Sequence, residues 1–415
     1  MSAALHRSFN SLEVPNYRRY FTGQLISLSG TWMQTVAAIW LILTLTDSGV
    51  AVGLTTALQF LPMLLLGAWG GLLADRIPKR RLLMATQALM AIPAVGLFAV
   101  TASGVVAPWM VYLGVLAMGT VNAVDNPTRQ SFVIEMVGSD RVVNAVSLNS
   151  VIVQMARIAG PGLAGVLIAL FGVVPCFALN ALTFVAMIVA LWGMDAERLH
   201  SAPVAAPGPG AIRAALRYVR HTPELAVPLA LMALVGTLGF NFQVILPLLA
   251  KFSFGGGPVT YAAMVSAMAI GSIAGALVNG AHGRTGPRLI AGGALAFGLA
   301  GLLSAAVPTL ALEIVALAVL GAAAVTFAAT INSTLQLAVS PEMRGRVMAL
   351  YSVVFLGSTP IGGPLTGWLA ETYDPRVALL LAGVTGLSAA WAAHVCFARL
   401  RERAGQQAHP LRTAS

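Results

Sequence analysis

Twelve runs of apolar residues alternate with short polar segments along nearly the whole chain, at about 21–45, 51–74, 82–102, 107–126, 144–171, 174–194, 225–249, 259–281, 288–306, 308–334, 346–370 and 376–398. A bilayer core is about 30 Å thick and a helix needs about 20 apolar residues to cross it. The pattern therefore predicts an all-α integral membrane fold of twelve transmembrane helices, with almost nothing left for a soluble domain. Polar residues inside the runs fall on helix faces. In the first run Gln24, Ser27, Thr31 and Gln34 recur at three- and four-residue spacing and share one face. Thr237 and Asn241, four apart with Gln243 nearby, do the same in the seventh; Asn122 stands in the fourth, and Thr326 and Thr330 in the tenth. The sharpest break lies in the fifth, where Gln154–Gly165 reads QMARIAGPGLAG and sets Arg157 before a glycine-proline pair.

Composition agrees: 58% of residues are hydrophobic and 9% charged, against about 45–50% and 25% in soluble domains. The first twenty residues lack the short apolar core and small-residue cleavage site of a removable signal peptide, so the first helix is expected to stay. Cys176 opens the sixth helix and Cys396 closes the twelfth, near opposite membrane faces, which makes a disulfide between them improbable. The net charge of +10 would suggest nucleic acid if it were clustered; its distribution points to topology instead. With a cytoplasmic amino terminus, 21 of the 24 Lys and Arg fall on cytoplasmic segments, leaving Lys251 and Arg376 outside and Arg157 within a helix. That bias predicts both termini in the cytoplasm.

The longest polar interruption, Asp195–Pro223, is a Pro- and Ala-rich linker that turns into a short basic amphipathic stretch. It divides the chain into 1–194, a linker at 195–223, and 224–415 with a short tail. The halves resemble each other. DRIPKR from Asp75 follows helix 2 and GRTGPR from Gly283 follows helix 8; SDRVVNAVSLNSV leads to GPGLAG at Gly160–Gly165, and PEMRGRVMALYSV leads to GPLTG at Gly363–Gly367. Duplicated six-helix halves are the organisation of many transporters, with the substrate site between them near mid-membrane.

The stretch GLLADRIPKRR from Gly71 to Arg81 resembles the signature loop between helices 2 and 3 of the major facilitator superfamily, and the resemblance covers nearly the whole chain. More narrowly, NYRRYFTGQ (from Asn16), SLSGTWMQ (from Ser27) and DNPTRQ (from Asp125) are similar to the branch containing the bacterial enterobactin exporter, the transmembrane secretion effectors. The chain departs from the pattern at Pro78, where glycine is common, and at Gly283, which removes the acid from the second copy.

The resemblance implies two pseudo-symmetric six-helix bundles and a central cavity lined by helices 1, 4, 7 and 10. Gln24, Ser27, Thr31, Gln34, Asn122, Thr237, Asn241, Thr326 and Thr330 are thus lining candidates, each equally open to a plain interhelical hydrogen bond. It also implies a conformational latch. Asp75, with Gly71, Arg76 and Arg80 and with Asp125 and Arg129 as polar neighbours, would close the cytoplasmic side against the start of helix 11, where unpaired N–H groups and the helix dipole favour a carboxylate; the alternative is solvated loop charge. Gly160, Pro161 and Gly165, matched by Gly363, Pro364 and Gly367, resemble an exporter motif of helix 5 in degenerate form. Plain helix packing accounts for them equally well.

Arg157 lies about 20 Å along its helix from Asn144 at ~1.5 Å per residue, deep in the membrane, where exposure to lipid is costly. With Gln154 it is a candidate for the cavity; a structural arginine bonded to backbone carbonyls is the alternative. The many Met, Phe and Ala residues and few charges suit amphipathic or weakly charged organic molecules. The leading expectation is a secondary active exporter of such molecules, drug- or siderophore-like, working by alternating access and coupled to protons by analogy, with Asp125 and Glu313 the available acids. An importer of the same fold is the alternative, and a membrane-embedded enzyme is disfavoured: there is no HExxH, no paired intramembrane aspartates and no Cys/His constellation, and no GxxxxGK[ST] loop for an ATP-driven pump. No cofactor, metal or nucleic acid is expected; the expected partners are a small-molecule substrate, protons and the bilayer of the cell membrane, and the expected state is a monomer.

Overall fold

The computed structural model describes residues 10–200, 211–282 and 285–407. The Pro-rich part of the linker, around Pro207, and Gly283–Arg284 of the second signature loop lie outside them. Helices begin and end where the local chemistry dictates. α1 (Pro15–Thr46) starts on a proline, whose missing N–H is no loss in a first turn. It ends at Asp47, left-handed at φ 50°, whose N–H returns to the Leu43 carbonyl. α2 (Gly49–Arg76) is capped by the Ser48 side chain, which accepts from the Ala51 N–H. Ile77 is extended before Pro78 and separates α2 from α3 (Lys79–Ala102). α4 (Pro108–Val137) and α5 (Val142–Phe171) both stop at glycines of positive φ, Gly138 and Gly172. α6 spans Val174–Trp192.

A linker helix, Ala211–Arg220, precedes α7, which runs as Pro223–Leu238, Phe242–Leu248 and a π-turn at Leu249–Ser253. Then come α8 (Pro258–His282), α9 (Pro287–Ala306), α10 (Leu310–Ala338), α11 in two pieces (Pro341–Gly357 and Thr359–Thr372) and α12 (Pro375–Gln407). Among the described residues eleven helices are long and apolar enough to cross a membrane; α4, whose apolar character Asn122, Asp125 and Asn126 dilute, completes the twelve. Exposed Trp69, Trp109, Ile92, Leu182, Leu277 and Trp391 give the helices an apolar exterior, which a soluble protein would avoid.

Three boundaries differ from the hydropathy pattern. α4 extends to Val137 instead of ending near 126, because the polar DNPTRQ segment is helical and turns its polar groups on one another: Arg129 pairs with Asp125, and Gln130 donates to Asn126 at 3.2 Å. The seventh run, read as continuous, is interrupted at Gly239–Asn241. The eleventh breaks at Ser358, two residues before Pro360, which cannot donate into the preceding turn.

The described residues fall into two compact units, one from Met1–Pro207 with Leu246–Ser266, the other from Gly208–Ile245 with Ala267–Ser415. In the first, α2 packs on α4, α3 on α4 and α6, and α1 on α5 and α6, around a core that includes Tyr17, Tyr20, Leu83, Phe132 and Met187. In the second, α9 packs on α10 and α12. Lipid supplies no hydrophobic drive between helices, so close approach at small residues holds them together. A Cβ at Gly70 of α2 would collide with the Ala123 carbonyl of α4, and one at Gly271 of α8 with the Ala318 carbonyl of α10. The same helix pair of each half thus meets in the same way. The linker helix turns Ala215 and Val219 inward against α11 and α7 and leaves Arg217 and Arg220 exposed.

Candidate functional site

Three of the polar residues read from the sequence, Thr31, Gln34 and Asn122, line one pocket in the first unit. α2 adds Thr55 and Gln59, α1 adds Thr35, and Met90 and Met118 supply apolar wall. Gln34 is buried and fixed at both ends: its amide nitrogen faces the Met118 sulfur at 2.6 Å, and its oxygen accepts from Asn180 Nδ2 of α6 at 2.7 Å. Gln59 Nε2 donates to Thr35 Oγ1 at 3.4 Å. Gln59 lies outside helices 1, 4, 7 and 10 and Thr35 outside the stripe of helix 1; their sequence signals are an amide in mid-run and a threonine four residues past Thr31. The other half of the α1 stripe points into the packed bundle. Ser27 is buried and donates to Gln87 Oε1 at 3.0 Å, and Gln24 is buried beside it.

That contact leads to a buried polar cluster. Asp125 accepts from Gln87 Nε2 at 3.0 Å and from Thr86 Oγ1 at 2.6 Å, and its second oxygen pairs with Arg129. With Asp125 only 2% exposed, a carboxylate here is held by two donors and one cation, as a buried charge requires partners.

The signature loop is anchored within the first unit. Arg80 donates to the Leu191 and Trp192 carbonyls at 2.8 and 2.7 Å, and Arg19 to the Gly193 carbonyl, so two cations cap the C-terminus of α6. Lys79 pairs with Glu135 at 2.5 Å. Asp75 is half-buried and Arg76 exposed; among the described residues neither shares a hydrogen bond or ion pair with Asp125 or Arg129. A Cβ at Gly71 would meet nothing within 4 Å, and Gly70 makes the close approach instead.

On α5 the helix continues through Pro161. A Cβ at Gly160 would lie 2.6 Å from the Ser29 carbonyl oxygen of α1, and one at Gly165 2.5 Å from Ala262 Cβ of α8. Arg157 is exposed, with its guanidinium carbon 5.1 Å from the ring centroid of Trp32 on α1, and Gln154 is half-buried one turn before it.

In the second unit Thr237, Thr326 and Thr330 donate to carbonyls of their own helices, and Asn241 Nδ2 donates to the Thr237 carbonyl at 2.7 Å. In α11 Gly362 makes the close approach, to the Thr237 carbonyl and the Asn241 side chain, while Gly363 and Gly367 are buried next to it and Pro364 sits within the helix. Phe240, at the break in α7, gathers Phe242, Phe297, Phe327 and Phe355 with centroids 5.2–6.4 Å away. Glu313 is fully buried and accepts from Ser304 Oγ at 2.5 Å.

Among the described residues, eleven helices long and apolar enough to cross a membrane, with the more polar α4 beside them, form a multi-pass membrane protein. The chain belongs to the transmembrane secretion effector family of the major facilitator superfamily, whose model matches residues 7–413. It is 26% identical over 265 residues to the staphyloferrin A transporter of Staphylococcus aureus, a match covering 62% of this chain and 65% of that protein. It is 25% identical over 388 residues to an enterobactin exporter of Citrobacter koseri, covering 89% of this chain and 88% of that one. Among solved structures, the nucleoside transporter NupG superposes with a TM-score of 0.71 at 17% identity over 92% of this chain and 99% of that one, a likeness of fold. The family and these relatives are transporters rather than enzymes.

Proposed function

We propose that the protein is a proton-coupled secondary active exporter of small amphipathic organic molecules, acting as a monomer by alternating access of its two six-helix halves, 1–194 and 224–415. Both termini and the linker at 195–223 lie on the cytoplasmic side of the cell membrane, by the placement of Lys and Arg. The observation that carries the reading is the pocket of Thr31, Gln34, Thr35, Gln59 and Asn122 between Met90 and Met118. Its lining mixes neutral polar side chains with thioethers, the chemistry suited to amphipathic organic molecules rather than to ions.

Export, as opposed to import, draws support from the relative named as an enterobactin exporter. Among the described residues, Asp125 and Glu313 are buried acids available for coupling. Asp75 acts in this reading as the cytoplasmic latch, with Arg80 anchoring its loop to α6. The test is accumulation of labelled amphipathic compounds, drug- and siderophore-like, in cells with and without the protein. Lower accumulation with the protein supports export, and higher accumulation gives the importer.

A further inference from the structure

The face of α5 that bears Arg157 changes character along the helix. Ser147, Ser150, Gln154, Arg157, Pro161, Ala164 and Ile168 follow one another at three- and four-residue steps and therefore share a face. Ser147, Ser150 and Arg157 are exposed and Gln154 is half-buried, whereas Pro161, Ala164, Gly165 and Ile168 are buried. The cover over the second half is identified by contact: Gly165 abuts Ala262, Val259 and the Pro258 carbonyl of α8. Arg157 stands at the boundary, the last residue of an open polar stripe before the helix closes. A stripe of two serines, an amide and a guanidinium is not a lipid-facing surface, because an arginine in hydrocarbon costs several kcal/mol. The apolar exposed residues Leu163, Val166 and Leu170 lie on the other side of the helix.

What the guanidinium touches narrows its role. Arg157 lies over the Trp32 ring, and among the described residues no carboxylate pairs with it and no backbone carbonyl accepts from it. A cation on an aromatic face keeps the N–H groups at its edges free, and that edge is a planar fork matched to a carboxylate. The attraction to the ring holds the guanidinium in place before any ligand arrives, which lowers the ordering cost of binding. A single cation at the head of this stripe balances one negative charge, which suits a carboxylate better than a doubly charged phosphate.

We propose that Arg157, held by Trp32, is the recognition point for a carboxylate of the transported molecule, so that the substrates are organic carboxylates with an apolar or aromatic body. The inference rests on the transporter reading above and sharpens it from amphipathic molecules in general to organic acids.

The experiment compares binding of tritiated 2-naphthoate and of its neutral amide, 2-naphthamide, to the full chain in nanodiscs, with counts from empty nanodiscs subtracted. A charge-assisted fork contact predicts that the acid binds at least about tenfold more tightly than the amide. Arg157→Met should erase that preference. Arg157→Lys should retain part of it, since the charge stays and the fork is lost, and Trp32→Leu should weaken it. Equal binding of acid and amide by the native chain, failure of both to bind, or a preference that survives in Arg157→Met each overturns the proposal. The native comparison decides even if the methionine variant does not fold. A chain that moves neutral compounds across membranes without preferring the acid refutes this inference and leaves the transporter reading standing; a chain that moves nothing refutes that reading itself.

Discussion

Replacing Asp125 with alanine should be among the most damaging single changes in the first unit, and the loss should shrink when Arg129 is removed as well. Asp125 is 2% exposed and the Arg129 side chain 14% exposed, so neither charge falls back on water. Asp125→Ala strips Gln87 of its acceptor, leaves Thr86 only the Leu83 carbonyl, and leaves Arg129 buried without a counter-charge. Breaking a buried pair this way costs about 3–5 kcal/mol. Arg129→Ala leaves a carboxylate that still accepts two hydrogen bonds, so its cost should be smaller, about 2–3 kcal/mol. The double variant removes both charges, and its loss should fall short of the sum by about 2 kcal/mol or more. The assay is equilibrium unfolding of the purified chain in mixed micelles for all four members of the cycle. Additivity within about 0.5 kcal/mol would refute the claim that this cluster is a coupled element of the bundle core.

Other consequences follow from single contacts. Gly160→Ala should destabilise the chain and Gly162→Ala should not, since a Cβ at Gly160 meets the Ser29 carbonyl at 2.6 Å and one at Gly162 meets nothing within 4 Å; thermal midpoints of the two variants decide. Arg80→Ala should cost about 1 kcal/mol of stability by uncapping α6, with Arg80→Lys recovering part of it; equal midpoints for alanine and native chains would remove the cap from the account. Asp75→Asn should leave stability intact while reducing transport and raising thiol labelling of cysteines placed along the cytoplasmic half of α5; unchanged transport and labelling would make Asp75 mere loop charge.

The helices were legible because a membrane crossing needs a fixed length of apolar chain, and such runs identify themselves. Their ends were less so. The fourth apolar run stops inside DNPTRQ, which is nonetheless helix, because Asp125–Arg129 and Asn126–Gln130 satisfy each other at four-residue spacing. The stripe on α1 was visible as a face, but periodicity does not say what the face meets. Thr31 and Gln34 line the pocket, whereas Ser27 bonds into the core through Gln87. Arg157 announced itself by its cost in a membrane. Trp32, far from it in sequence, carried no such sign, for indoles are ordinary in apolar helices. Gln59 showed only as an amide in mid-run, and Gly70 and Gly362 adjoin glycines named from the sequence, Gly71 of the signature loop and Gly363 of the repeat; one residue along a helix turns the side chain by about 100°, enough to choose a different neighbour.

The most direct test of the central claim, outward transport of organic molecules driven by protons, uses inside-out membrane vesicles from cells with and without the protein. A labelled panel of amphipathic acids and their neutral amides is presented to the cytoplasmic face while the vesicle interior is acidified. The account predicts accumulation that requires the protein and collapses when a protonophore dissipates the gradient. Accumulation only in right-side-out vesicles, or accumulation indifferent to the protonophore, would contradict it.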